Sequence, residues 1–132
     1  MTAKTYSLDF SGYWRAENAG GLPDHSGIYC VYTCTFNVKQ KTVSLRRLLY
    51  IGESGDVRSR VSGHERWDEW EGKLLVGQEL CFSAALISPK SDRERAEAAM
   101  INIYKPPCNV EYVDSFPFDK TNIETKGKNA LL

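Results

Sequence analysis

Two apolar stretches in the first half of the chain predict neighbouring β-strands. Residues 27–35 are apolar, aromatic or β-branched, and residues 48–52 are apolar and end in a glycine, as buried strands do. The polar residues 36–45 between them are rich in Lys and Thr, which favours a loop that joins two antiparallel strands. The hairpin would place Tyr29 and Tyr50 side by side on one small sheet.

The second half of the chain predicts one more strand between two helices. Residues 79–87 alternate between two faces, as a half-buried strand does. Ser54 can cap a helix that runs to about residue 67. A Ser-x-x-Glu capping box at Ser91 predicts a second helix to about residue 104, just before a pair of prolines.

These elements predict an α/β (α+β) fold, with a small three-stranded antiparallel sheet flanked by helices. With 132 residues, the chain has the length of one domain. We expect residues 24–113 to form this domain. Residues 1–23 are expected to be an N-terminal arm that packs on it, and the polar residues 114–132 a C-terminal tail.

Composition adds limits on location and partners. The 17 basic and 17 acidic residues give a net charge of +0, so any nucleic-acid contact must come from uneven placement of charge. The four cysteines have no metal-finger spacing, which favours buried reduced thiols and a cytoplasmic setting. No signal peptide is visible, and no apolar run is long enough to cross a bilayer, so we expect no membrane contact.

The two strand motifs resemble the signature of the GIY-YIG nuclease superfamily. The motifs are Gly27-Ile28-Tyr29 and Tyr50-Ile51-Gly52. The resemblance extends to an arginine ten residues after the second motif tyrosine, Arg60, and to His64 one helical turn later. Glu97 precedes Asn109 by twelve residues, with a Lys-Pro between them, as the family's metal-binding glutamate does. The match covers about residues 26 to 110.

The resemblance implies a metal-dependent endonuclease that hydrolyses DNA phosphodiester bonds. The catalytic residues it implies are Tyr29, Tyr50, Arg60, His64, Glu97 and Asn109. Glu97 would hold one divalent cation, Mg²⁺ or Mn²⁺, whose remaining positions are filled by water and phosphate oxygens.

The other five residues take the remaining roles that the resemblance implies. Tyr29, with Tyr50 beside it, would orient or deprotonate the attacking water. Arg60 would clamp the phosphate through its planar guanidinium. His64 could relay a proton near neutral pH, and Asn109 would tie the turn after the second helix to the site.

A basic stretch supplies the expected contacts to DNA. It contains Lys39, Lys41, Arg46 and Arg47 and has no acidic residue, and Arg58 on the first helix adds a further cation. Such cations can neutralise phosphates whatever the base sequence. The alternative is a solubilising edge of the sheet.

Other interpretations of the same residues stay open at the level of sequence. Glu97 lies on an otherwise apolar helix stripe and could instead pair with Arg93, four residues earlier. The domain could also be a non-catalytic nucleic-acid-binding or partner-inhibiting module that keeps the nuclease scaffold. Because no second domain is predicted, a separate targeting protein is a further partner to consider. Glu53 departs from those relatives that carry a lysine there, which removes a cation that would lower the pKa of a nearby tyrosine.

Overall fold

The computed structural model describes residues 3–132, which are arranged around a five-stranded mixed sheet. The strands are β1 (Lys4–Arg15), β2 (Gly27–Asn37), β3 (Thr42–Ser54), β4 (Glu79–Leu86) and β5 (Thr121–Gly127). The helices are a short 3-10 helix (Ala16–Gly21), α1 (Val57–Ser62), α2 (Trp67–Glu71) and α3 (Lys90–Tyr104). None of these helices is long and apolar enough to cross a bilayer.

The prediction of a three-stranded antiparallel sheet is wrong, although the antiparallel β2–β3 hairpin is confirmed. The strand order is β3-β2-β4-β1-β5, and β5 runs parallel to β1. Two strands were missed because they come from the segments expected to be an arm and a tail. Residues 1 and 2 of the expected arm lie outside the described residues.

The two additional strands carry different sequence signals. In β1, Tyr6, Leu8 and Phe10 turn inward while their neighbours are exposed, so the alternation of a half-buried strand was present in the sequence. β5 is an edge strand with no fully buried residue, and its composition is therefore mostly polar. Only pairing with β1, more than 100 residues away in sequence, makes β5 a strand.

The sheet carries a hydrophobic cluster on each face. One cluster joins alternate β2 residues, Cys30 and Tyr32 among them, to Met100 of α3. The other joins the intervening residues, including Tyr29, to Trp70 of α2 and to the apolar side of α1. β2 is therefore buried on both faces, which explains its nearly continuous apolar sequence.

The first predicted helix is shorter than expected and is broken in two. Its cap is Asp56, whose side chain accepts a hydrogen bond from the Ser59 N–H at 3.2 Å, and not Ser54. α1 ends at Ser62, with Gly63 as its C-cap, and α2 begins only at Trp67. The break leaves residues 64–66 in a turn, from which the Glu65 and Arg66 side chains reach a cleft beside β3.

Candidate active site

A cleft of about 390 Å³ lies near the end of β3, between the helical layers on the two faces of the sheet. Five of the six predicted catalytic side chains line it. They are Tyr29 on β2, Tyr50 on β3, Arg60 on α1, Glu97 on α3 and Asn109 in the turn after α3. His64 is the exception.

The two motif glycines allow the strands and the tyrosine ring to approach closely. Gly52 lies opposite Tyr29 in the β2–β3 pairing, and a Cβ atom on Gly52 would overlap the Tyr29 phenol. A Cβ on Gly27 would come within 2.5 Å of the Ala85 carbonyl oxygen on β4. Both positions therefore require glycine for steric reasons.

The Tyr29 phenol is held in its protonated form. Its ring centroid lies 6.2 Å from that of Tyr50, and only 1% of the residue is exposed. Burial, reinforced by Tyr50 and opposed by Arg60, raises the pKa of Tyr29 well above its ordinary value. Tyr29 can therefore hold a water molecule through its hydroxyl, but it has no tendency to take a proton at neutral pH.

Glu97 is half-buried in the cleft, among other carboxylates. Burial, followed by the charges of Glu53, Glu111 and Glu94, raises the pKa of Glu97 to about 8, and Arg93 opposes the shift. Within residues 3–132 the Glu97 carboxylate forms no hydrogen bond and no ion pair. The alternative pairing of Glu97 with Arg93 does not form, because Arg93 turns towards Glu53.

The surroundings of Glu97 suit a cation that is held by one carboxylate and water better than a cation that is held by protein ligands alone. Among the described residues, no group of three or more His, Cys, Asp or Glu side chains is arranged to hold a metal. A half-buried carboxylate with a raised pKa and carboxylate neighbours would be stabilised by a divalent cation. Mg²⁺ keeps several of its waters and needs only one or two carboxylates, so Glu97 fits as the protein ligand.

Arg60 reaches the cleft from α1 but is already paired. Its Nη1 and Nη2 donate to the two carboxylate oxygens of Glu65, at 2.6 and 2.9 Å. Arg66 also lines the cleft, with its guanidinium carbon 5.9 Å from the Tyr50 ring centroid and one nitrogen 3.0 Å from Glu69. Sequence reasoning missed both Glu65 and Arg66. Their only signal was their position directly after His64.

His64 lies behind the tyrosines and does not line the cleft. Its ring packs 4.5 Å from that of Trp70 and 5.3 Å from that of Tyr50, and the residue is 5% exposed. Burial, followed by the charge of Arg60, lowers the pKa of His64 to about 4. Nδ1 accepts a hydrogen bond from the Arg66 N–H at 3.1 Å, and the buried Nε2 has no partner among the described residues. The imidazole is therefore neutral near pH 7.

Asn109 fastens the chain after α3 to the edge of β3. Its side-chain amide both donates to the Ile51 carbonyl and accepts from the Ile51 N–H, each at 2.9 Å. The Cys108 N–H adds a bond of 2.9 Å to the Leu49 carbonyl. This turn therefore covers the backbone edge of β3 beside Tyr50.

Glu53 and Arg93 form a largely buried pair on the α3 side of the cleft. The Nε of Arg93 donates to Glu53, and its Nη1 donates to the Ser26 hydroxyl at 2.9 Å. Ser26 in turn donates to the Ile87 carbonyl at 2.6 Å. The acidic residue that departs from the family pattern is thus neutralised by an arginine that sequence reasoning did not assign to the site.

None of the predicted DNA-binding cations lines the cleft. Lys39 and Lys41 lie at the turn of the hairpin, and Arg46 and Arg47 lie on β3. At a rise of about 3.3 Å per residue, the turn is roughly 26 Å from Tyr50. Arg58 points away towards the 3-10 helix and donates to the Leu22 carbonyl at 2.7 Å.

Comparison of the chain with protein-family models, with curated proteins and with solved structures gives no match. The assignment of the cleft therefore depends on its own residues and on the resemblance of the two strand motifs.

Proposed function

We propose that the protein is a divalent-metal-dependent endonuclease that hydrolyses DNA phosphodiester bonds in this cleft, as its resemblance to GIY-YIG nucleases suggests. The observation that supports the proposal is the convergence of five side chains from separate elements. Tyr29, Tyr50, Arg60, Glu97 and Asn109 are spread over much of the chain, yet all of them line one cleft.

The residues divide the work of hydrolysis between them. Glu97 would hold Mg²⁺ or Mn²⁺, which when bound supplies Lewis-acid stabilisation of the phosphate and of the leaving oxygen. The protonated Tyr29 hydroxyl would orient the attacking water, and Tyr50 flanks it. Arg60 would clamp a non-bridging phosphate oxygen pair through its two Nη groups. Asn109 keeps the β3 edge in place beside them.

His64 enters the proposal mainly as a positioning residue. Its buried ring supports Tyr50, and its Nδ1 fixes the turn that carries Glu65 and Arg66. Relay of a proton through His64 stays a prediction. With a pKa lowered to about 4, an acidic limb of the rate caused by His64 would lie well below pH 6.5.

The hairpin is the proposed surface for the rest of the DNA. Residues 25–52 contain no Asp or Glu, whereas they carry the four cations Lys39, Lys41, Arg46 and Arg47. Such a surface would contact phosphates of any sequence and would hold a strand that extends from the cleft. A targeting protein partner and a cytoplasmic location remain part of the proposal, the latter because the four cysteines are free and buried.

One observation favours the alternative, a non-catalytic module that binds nucleic acid or inhibits a partner. Among the described residues, the cleft is lined by five carboxylates and only two guanidiniums, and both guanidiniums are already paired. Without a bound cation, the excess of carboxylates in this cleft would weaken the binding of a phosphate. A catalytic role for this cleft therefore requires that it binds a metal ion.

The test is cleavage of labelled duplex, branched and single-stranded DNA by the wild type and by Glu97→Gln, with Mg²⁺, with Mn²⁺ or with EDTA. We expect metal-dependent cutting by the wild type and a loss of at least about 100-fold in Glu97→Gln, since removal of supporting groups alone costs 10–100-fold in metal sites.

Glu94→Gln is the matched control for this experiment. Glu94 also lines the cleft, three residues earlier on α3, and the variant removes the same charge. It should keep most of the activity. Metal-dependent cutting by Glu97→Gln at the wild-type rate would remove Glu97 from the site, and wild type that cuts none of the substrates would favour the non-catalytic alternative.

A further inference from the structure

The group proposed to clamp phosphate already holds an anion from the same chain. Both Nη atoms of Arg60 donate to Glu65, one to each carboxylate oxygen, at 2.6 and 2.9 Å. This is the parallel, two-bond arrangement in which a guanidinium also binds a phosphate. Both residues line the cleft, so the occupied fork faces the space that a substrate would enter.

The turn that presents Glu65 is fixed, whereas the carboxylate itself is free to leave. The His64 N–H donates to the Val61 carbonyl at 3.3 Å and the Trp67 N–H to the His64 carbonyl at 3.1 Å, so the backbone is held on both sides of Glu65. The Glu65 side chain is 66% exposed, compared with 37% for Arg60. Rotation of the side chain alone would therefore release Arg60.

Apart from Arg60, the Glu65 carboxylate meets only its own backbone N–H and His64 among the described residues, so no other side chain holds it by a hydrogen bond. Its other close contact is His64 Nδ1 at 3.8 Å, and that imidazole is neutral near pH 7. The Arg60 hydrogen bonds lower the pKa of Glu65 to about 2, so the competing group is an anion under all ordinary conditions.

We propose that Glu65 is an internal competitor for substrate phosphate: its carboxylate occupies the Arg60 fork in the free protein and must leave when a DNA phosphate binds. The inference depends on the proposed role of Arg60 in phosphate binding. It deepens that proposal by making DNA affinity the result of an exchange of one anion for another.

The competition is weak enough to be reversible. Exposed ion pairs contribute little, and removing one competitor of this kind corresponds to a gain of about twofold to fivefold in affinity. In the wild type, Arg60 gives up its ion pair with Glu65 when it binds a phosphate, whereas in Glu65→Gln there is no such pair to lose. DNA binding by the variant therefore forms about one more ion pair overall than DNA binding by the wild type. The slope of log affinity against log salt should therefore steepen by up to about 0.9.

The experiment measures binding of a fluorescent DNA duplex in EDTA, over a range of salt concentrations, for the wild type, Glu65→Gln and Glu69→Gln. Glu69 is the matched control because it also pairs with a cleft-lining arginine, Arg66, at 3.0 Å, but does not line the cleft itself. We expect tighter binding and a steeper salt slope for Glu65→Gln than for Glu69→Gln. Equal gains in the two variants would mean a general charge effect and would overturn the proposal.

Weaker binding by Glu65→Gln would overturn it as well, because Glu65 would then position Arg60 for the substrate. An Arg60→Gln background provides the pairwise check, since Glu65→Gln should lose its benefit there. If Glu65→Gln raised the DNA affinity equally with and without Arg60→Gln, that result would contradict an exchange at Arg60.

Cleavage measured separately with Mg²⁺ keeps the two proposals distinguishable. If Glu65→Gln shows the expected gain in DNA binding but the wild type cleaves no DNA, only the nuclease proposal is contradicted. If the wild type cleaves DNA but Glu65→Gln binds DNA no more tightly than the wild type, only the proposed exchange at Arg60 is contradicted.

Discussion

Two arginine–carboxylate pairs lie beside the cleft, and they differ mainly in how much water reaches them. In the pair of Arg93 with Glu53, the side chains are 10% and 23% exposed, and Arg93 also donates to Ser26. In the pair of Arg60 with Glu65, the corresponding values are 37% and 66%, and the carboxylate has no second hydrogen bond from another side chain.

The difference separates a pair that holds the fold from one that can exchange partners. Loss of one member of a buried pair leaves an uncompensated charge, whereas an exposed pair loses little when water takes the partner's place. The same two residue types can therefore brace α3 against β3 on one side of the cleft and offer a replaceable anion on the other.

The largest effect should come from breaking the buried pair. Arg93→Met leaves Glu53 unpaired near Glu97, and we expect a loss of about 3 kcal/mol or more in the free energy of unfolding. Urea unfolding at pH 7 measures it. The double variant Arg93→Met/Glu53→Met should recover most of the loss, because no charge is then left unpaired. A loss below about 1 kcal/mol would mean that this pair behaves like an exposed one.

An intermediate, pH-dependent effect should come from His64, which supports the turn that carries Glu65, the carboxylate of the exposed pair. Its pKa is about 4 in the folded protein and ordinarily 6.5, so between these values the unfolded chain binds more protons. Stability from this group is therefore complete above pH 6.5 and is lost as the pH falls towards 4. At about 1.4 kcal/mol per pKa unit, the loss is at most about 3.5 kcal/mol.

Urea unfolding from pH 4 to pH 8, for the wild type and His64→Gln, isolates this contribution. Carboxylates titrate in both proteins, so the difference between the two curves belongs to His64. We expect His64→Gln to lose less stability than the wild type on acidification. Parallel curves would mean that His64 is not buried as a neutral imidazole.

The smallest effect on stability should come from breaking the exposed pair. The Glu65 side chain is 66% exposed, so Glu65→Gln should leave the urea midpoint unchanged within experimental error. The comparison of the two pairs would fail if Glu65→Gln destabilised the protein as strongly as Arg93→Met does.

Local pattern was enough to predict the elements whose residues are close in sequence. The β2–β3 hairpin and β4 follow from runs and alternations a few residues long, because backbone periodicity decides which side chains share a face. α3 was predicted from a capping box at Ser91, but it begins at Lys90, and its N-cap is Pro89, with no side-chain cap. The spacing of Tyr29, Tyr50, Arg60, Glu97 and Asn109 was also visible, and the fold brings these residues to one cleft.

The sequence by itself therefore determined the hairpin and the residues that could line a site. Only the tertiary structure decided which partners they meet. β5 exists because β1 offers a free edge, Arg93 prefers Glu53 on β3 to Glu97 on its own helix, and His64 turns inward behind Tyr50. Each of these outcomes is a competition between distant groups for burial and charge, and residue order along the chain does not encode its result locally.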